Sequence, residues 1–340
     1  MIFPKLIKRI LKNLPRNDYP VMNTFLFVSC WITFALDKSL VSMRDLSTRL
    51  SLQGLNVNLS TFSKASKIRD VSVFEKIISD LNQMLVTKKG SYQARALFPI
   101  DSTVISLTSK LLWKEGWHQV KLFCGLNSIT SEVAGIVIHF GQGHDSKEGQ
   151  KTIDEIPENS VGIMDRGFAS LKRIKQLLSS KSQHFVLRVK NNINLDFLDE
   201  QENKWNSKLG KGKDAVEVRV VSFCDLETRC EFRLATSLPV EGEGGVSNQE
   251  IGEMYVQRWQ IELLWKFLKM HLKLDNLIAK NDNGIRIQIY SCIIAYLILQ
   301  LIDIEPELGK TLLDKLRYLQ AFVSYHVSYV HWFRQIVFAH

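Results

Sequence analysis

Cysteine is scarce. The 340 residues hold five, Cys30, Cys124, Cys224, Cys230 and Cys292, an odd number with no C-x-x-C spacing. That argues against a disulfide framework or a thiolate zinc site and fits a reducing cytosol. Proline numbers only seven, and Pro4, Pro15 and Pro20 fall in the basic first twenty residues. Long apolar runs are missing too. Val21 to Leu36 follows a basic start, as a signal peptide would, but it holds Asn23, Thr24 and Ser29 and lacks an A-x-A-like site. Cys292 to Ile302 has about half of the ~20 residues a spanning helix needs. Both runs are read as buried core helices, and no membrane partner is expected. Acidic residues are in deficit, 35 against 44 Lys+Arg, for a formal net charge of +9. An excess of that size favours a polyanionic partner. A hydrophobic share of 45% with 23% charged residues excludes a disordered tail protein.

The chain reads as four stretches. Residues 1–94 carry an arm and then capped helices, at about 21–36, 43–50, 61–68 and 72–86; Ser72 with Glu75 forms an S-x-x-E box. Residues 95–190 change character. Strands are expected at 98–107, 117–126, 132–140, 161–164 and 184–189, with a short helix before Pro157 and another at 171–178. Residues 191–246 are polar and Asn-rich, with strand-like runs at 215–223 and 229–236, and read as an insertion containing a hairpin. Residues 247–340 open on a Ser247–Glu250 capping box and a long helix to Leu272, then helices at about 284–302 and 311–338. The fold class is α/β: a mixed sheet in βββαβαβ order followed by a helix, with a β insertion and helical flanks.

The chemistry gathers at three acidic residues. Asp101 lies within a β run and Asp165 ends a short apolar strand, V-G-I-M. Aspartate in a core strand is disfavoured by propensity and burial. At 3.6 residues per turn, Tyr255, Arg258, Glu262 and Lys269 share one narrow stripe of an otherwise apolar helix. Buried charge is costly unless paired or ligating. An internal Arg258–Glu262 ion pair with Lys269 snorkelling accounts for the stripe by itself. The β-β-β-α-β-α-β order, however, lets the first and fourth strands lie side by side with the late helix across their ends. Three carboxylates meeting there need cations, and oxygen donors suit two Mg²⁺ (or Mn²⁺) ions. Such ions activate a water or a 3′-hydroxyl and stabilise the leaving oxygen of a phosphodiester.

These residues carry a resemblance. The chain resembles bacterial insertion-sequence transposases of the DDE class, on a ribonuclease H-like fold. Asp101 stands in D-S-T, Asp165 in D-R-G-F, and Tyr255-x₂-Arg258-x₃-Glu262-x₆-Lys269 matches the Y-R-E-K signature of the IS-four-type cut-and-paste branch. The resemblance implies metal-dependent cleavage at element ends and strand transfer into target DNA. Asp101, Asp165 and Glu262 would hold the metals, and Tyr255, Arg258 and Lys269 would contact phosphates. The implied partners are double-stranded DNA (terminal inverted repeats and target) and a second copy of the chain in the DNA complex. The implied place is the cytoplasm, at the nucleoid. Another two-metal nuclease on the same fold, or a decayed DNA-binding scaffold, are the alternatives. The Arg258 and Lys269 spacing argues against the first and the three intact carboxylates against the second.

Weaker signals remain. Ser42–Arg69 reads as helix-turn-helix with Gly54 in the turn, placing Lys64, Lys67 and Arg69 toward a major groove, although a plain packing pair is equally compatible. His144-Asp145 reads as a solvated loop rather than a neighbour of the metals. Trp205 fits a lid over a local apolar cluster better than a platform for a flipped base.

Overall fold

The computed structural model describes residues 14–15, 19–52, 54–90, 95–109, 112–113, 115–180, 183–197, 206–224, 231–240, 242 and 244–324. Trp205, Cys230, most of the N-terminal arm and the end of the last helix lie outside them. The chain divides into two compact units. One holds residues 1–88, 107–116 and 266–340, the other residues 89–106 and 117–265.

Among the described residues, the second unit is built on a nine-stranded sheet. The strands are β1 (Leu97–Ser106), β2 (Gln119–Leu126), β3 (Val133–Phe140), β4 (Val161–Met164), β5 (His184–Val189), β6 (Leu195–Phe197), β7 (Asn206–Leu209), β8 (Val216–Cys224) and β9 (Glu231–Thr236). Their order is β3-β2-β1-β4-β5-β9-β8-β7-β6. β1 pairs antiparallel with β2 and parallel with β4, and β4 pairs parallel with β5. This 3-2-1-4-5 arrangement is the ribonuclease H-like core expected from the element order. Every residue of β4 is buried, as a central parallel strand requires. The amphipathic helix at Leu171–Ser179 covers one face, burying Ile174 and Leu177 in a cluster with Phe98, Phe123, Phe168 and Phe185.

The insertion differs from expectation in extent. β8 and β9 form the hairpin, but β9 also pairs antiparallel with β5, and β7 and β6 continue outward. The insertion therefore extends the core sheet. β6 and β7 are only three and four residues long, too short for a periodicity reading to detect.

The other unit is helical. Its elements include α1 (Thr24–Leu36), α2 (Met43–Leu52), α3 (Leu59–Ile68), α4 (Ser72–Lys89) and two C-terminal helices at Asp282–Leu301 and Leu312–Ser324. Trp31, Phe27, Phe34, Phe62 and Phe74 form its aromatic core. The Asp282–Leu301 helix has 20 residues, long and apolar enough to cross a membrane, yet 89% of its most apolar window is buried inside the protein. Burial, rather than the short length inferred from Cys292–Ile302, is what makes it a core helix.

Candidate active site

The parallel pairing of β1 with β4 ends at Ile100 and Met164. Asp101, inside β1 and still paired with Cys124 of β2, and Asp165, the residue after β4, each directly follow that last pair. They therefore lie on neighbouring strands, about 4.8 Å apart, at the same end of the β1–β4 pairing. After Asp165 the chain turns through a short 3-10 segment, Arg166–Phe168.

The third carboxylate comes from the region expected to be one long helix. That expectation is corrected: the capping box at Ser247 opens a helix over Asn248–Val256, and a second helix runs over Trp259–His271, with a break at Gln257–Arg258. The break ends the continuous stripe, and the helix is not buried all round. Val256, Trp259 and Leu263 are exposed. Tyr255 lies in the last turn of the first helix and Arg258 sits in the break. The unit boundary falls between Trp265 and Lys266, so Glu262 belongs to the sheet unit and Lys269 to the helical one.

Within the sheet unit the charges form a coupled set. Arg258 pairs with Glu262 at 2.6 Å, with side chains 20% and 34% exposed. The Tyr255 hydroxyl donates to Asp165 Oδ1 at 3.3 Å. Burial pushes the Asp101 carboxyl up to about 6; the Ser102 amide and Arg258 oppose this, while Glu262 and Asp145 add to it. Burial works against the charge of Arg258, yet its bond to Glu262 and the nearby Tyr255 and Asp165 hold its pKa above the ordinary value. Burial and the Asp165 charge push Tyr255 up to about 12. Arg258 Nε is buried and has no hydrogen-bond partner, which leaves a donor for an anionic oxygen.

The Asp101 carboxyl, with Glu262 and Asp145 near enough to add to its upward shift, belongs to a set of hard oxygen donors whose chemistry fits a divalent cation. Among the described residues, no three His, Cys, Asp or Glu side chains close into a metal-holding group; Glu262 is instead drawn to Arg258.

Sequence reasoning missed three features. A cleft of about 460 Å³ opens beside Asp165, lined by Arg166, Arg188, Lys190, Asn191 and Asn192. Arg188 on β5 and Lys190 just after it show no motif and become a basic wall only once β5 lies beside β4. Asp145 is the second: it is held by Lys121 at 2.8 Å and by Ser102 at 2.6 Å, whereas the neighbouring His144 is exposed as expected. The third is the exposed Trp259.

In the helical unit, α2, the Gly54 turn (φ +79°) and α3 form the expected helix pair. Lys64 and Lys67 are exposed. Arg69 is buried, and its groove-facing role is corrected: its guanidinium donates to the Met22 carbonyl and lies over the Tyr19 ring at 3.9 Å and the Phe27 ring at 4.9 Å. Arg69→Ala is therefore expected to cost about 2 kcal/mol of stability. Lys64→Ala and Lys67→Ala are expected to leave the thermal midpoint in place while each lowers the salt slope of DNA binding by about one. Thermal melts beside binding titrations at several salt concentrations check both. In the same unit, Lys269 pairs with Asp275 at 3.6 Å.

A 3-2-1-4-5 sheet with one carboxylate inside β1, one just after β4 and a third on a late helix is the layout of ribonuclease H-like enzymes that act on nucleic acids. The chain belongs to the transposase DDE domain family, whose description matches residues 93–298. It is 55% identical over 337 residues, 98% of each chain, to a Synechocystis sp. protein assigned as the transposase for insertion sequence element IS4SA. It is 25% identical over 268 residues, 71% of this chain and 66% of the other, to a Geobacillus stearothermophilus protein assigned as the transposase for insertion sequence element IS5377. Among solved structures, a piggyBac transposase synaptic complex with hairpin DNA aligns with a TM-score of 0.44 and 12% identity, over 93% of this chain and 75% of that one.

Proposed function

We propose that this transposase cuts the DNA ends of an insertion sequence and joins them to target DNA, with Asp101, Asp165 and Glu262 as catalytic carboxylates. What supports this reading is the position of Asp101 and Asp165 directly after the last β1–β4 parallel pair, with Arg258, the partner of Glu262, electrostatically coupled to both. Divalent cations, Mg²⁺ or Mn²⁺, would be held by these three residues and would supply an activated attacking oxygen and charge stabilisation for the leaving one.

The remaining roles follow from the chain's own groups. Arg258 offers its unpaired Nε–H to a phosphate oxygen. Tyr255 stays neutral far above pH 7 and donates or accepts a hydrogen bond without adding charge. Lys269 is a point charge suited to a phosphate. The cleft wall of Arg166, Arg188 and Lys190 has the sign and hydrogen-bonding capacity to guide a DNA backbone toward Asp165. Lys64 and Lys67 bind the element end from the helical unit. Two copies of the chain bring two ends together, at the nucleoid where chromosomal targets lie.

The test uses the full chain, duplexes carrying the inverted repeats that flank its gene, a supercoiled target plasmid, and Mg²⁺ or Mn²⁺. Cleavage at the repeat boundary followed by covalent joining to the plasmid is the expected result. Cutting without joining would make the protein a nuclease of the same fold, and end binding without cutting would make it a DNA-binding scaffold.

A further inference from the structure

Asp145 opens a four-residue helical turn after β3, in a segment whose composition reads as a solvated loop. Its surroundings are otherwise. Oδ1 accepts from the Ser102 hydroxyl at 2.6 Å and pairs with Lys121 Nζ at 2.8 Å. Lys121, on β2, also donates to the Gly143 carbonyl at 2.9 Å, and the buried Arg173 donates to the Ser146 carbonyl at 2.8 Å. The turn is thus tied down on both sides of Asp145. The other carboxylate oxygen faces the D-R-G-F turn: a Cβ at Gly167 would lie 2.8 Å from Asp145 Oδ2. Only glycine allows that approach without displacing the carboxylate.

Ser102 follows Asp101 directly, and Gly167 lies two residues after Asp165. One side chain therefore bears on both segments that carry the proposed catalytic aspartates, the middle of β1 and the turn after β4. We propose that Asp145 is a positioning residue that joins the Asp101 segment of β1 to the turn after Asp165 through Ser102 and Gly167, with Lys121 as its counter-ion, and so presets the site for a divalent cation. The inference rests on the metal-binding reading of Asp101, Asp165 and Glu262. Loss of an outer partner that orients metal ligands costs about 10–100-fold in metal affinity, and an effect of that size is expected here.

The experiment is calorimetric titration of the full chain with MnCl₂ in the absence of DNA, beside thermal melts and Mn²⁺-dependent cleavage. Asp145→Asn and Gly167→Ala are each expected to weaken Mn²⁺ binding about tenfold or more. Ser102→Ala combined with Asp145→Asn should weaken it by less than the product of the single effects, because the two share one contact. Cleavage by Asp145→Asn should recover as Mn²⁺ is raised, with kcat near wild type at saturation. Unchanged Mn²⁺ affinity with a lower melting midpoint would overturn the proposal and leave Asp145 a loop clasp. If Asp145→Asn fails to fold, Gly167→Ala and Ser102→Ala, which keep the Asp145 charge, decide by the same titration. A wild-type chain that takes up no Mn²⁺ would overturn the underlying metal reading.

Discussion

Glu262→Gln is expected to lower DNA cleavage and strand transfer about a thousandfold or more while the protein stays folded and still binds end DNA. A thousandfold loss corresponds to about 4 kcal/mol of barrier, a size consistent with removing one anionic oxygen from a metal-assisted displacement. The structure bears on the competing explanation, in which Glu262 serves only to neutralise Arg258. Their pair is close, 2.6 Å, but the side chains are 20% and 34% exposed. An ion pair that wet contributes about 1 kcal/mol or less. Gln keeps an acceptor for Arg258, and Asp165 and Tyr255 remain close to its charge. The 3–5 kcal/mol penalty of a stranded buried cation therefore does not apply. DNA affinity should hold or rise, since one negative charge near the phosphate path is gone. Melting, end-binding and cleavage assays on one preparation separate the cases. A stable variant that still cuts at the wild-type rate would remove Glu262 from the catalytic set; an unfolded one would mean that the ion pair is structural.

The core order could be read in advance because each element declares itself locally. V-G-I-M is an apolar run long enough only for a buried strand, Ser170 caps the helix that follows, and Ser247 with Glu250 forms a complete capping box. The adjacency of β1 and β4 followed from the β-β-β-α-β order. What stayed hidden depends on tertiary context. The break at Gln257–Arg258 contains neither proline nor glycine, so nothing in the local chemistry marks it. Arg69 looks like any helix-terminal cation until Tyr19 and Phe27 close over it. Asp145 looks like an ordinary turn aspartate because its partners, Ser102 and Lys121, are 43 and 24 residues earlier (145 − 102; 145 − 121). Charge spacing along one helix is visible in a sequence, whereas charge brought together by a sheet is not.

Lys273→Met is expected to destabilise the helical unit by about 2–4 kcal/mol. The Lys273 ammonium donates to three carbonyls where α1 ends, those of Phe34 at 2.8 Å, Asp37 and Leu40, and lies 4.3 Å from the centre of the Phe34 ring. The last carbonyls of a helix have no partner within it, and Lys273 supplies one from a distant segment. Methionine fills the same volume and donates nothing, leaving part-buried carbonyls unpaired. Lys273 also has φ +63°. Methionine keeps that strain, so it is a cleaner probe than Lys273→Gly, which relieves about 1 kcal/mol of backbone cost. The pH dependence has a definite sign. Burial pushes Lys273 down to about 8 from an ordinary 10.5; Cys292 opposes the shift, Arg49 adds to it and Asp45 opposes it. Its folded pKa is below its unfolded one, so between these values the unfolded chain binds more protons, and stability from this group rises with pH. The wild-type advantage over Lys273→Met should therefore be larger at pH 10 than at pH 7. Urea denaturation of both proteins at the two pH values measures it. An equal or smaller gap at pH 10 would mean that the three carbonyls hold the ammonium at least as well as water does. No gap at either pH would mean that the end of α1 does not depend on Lys273.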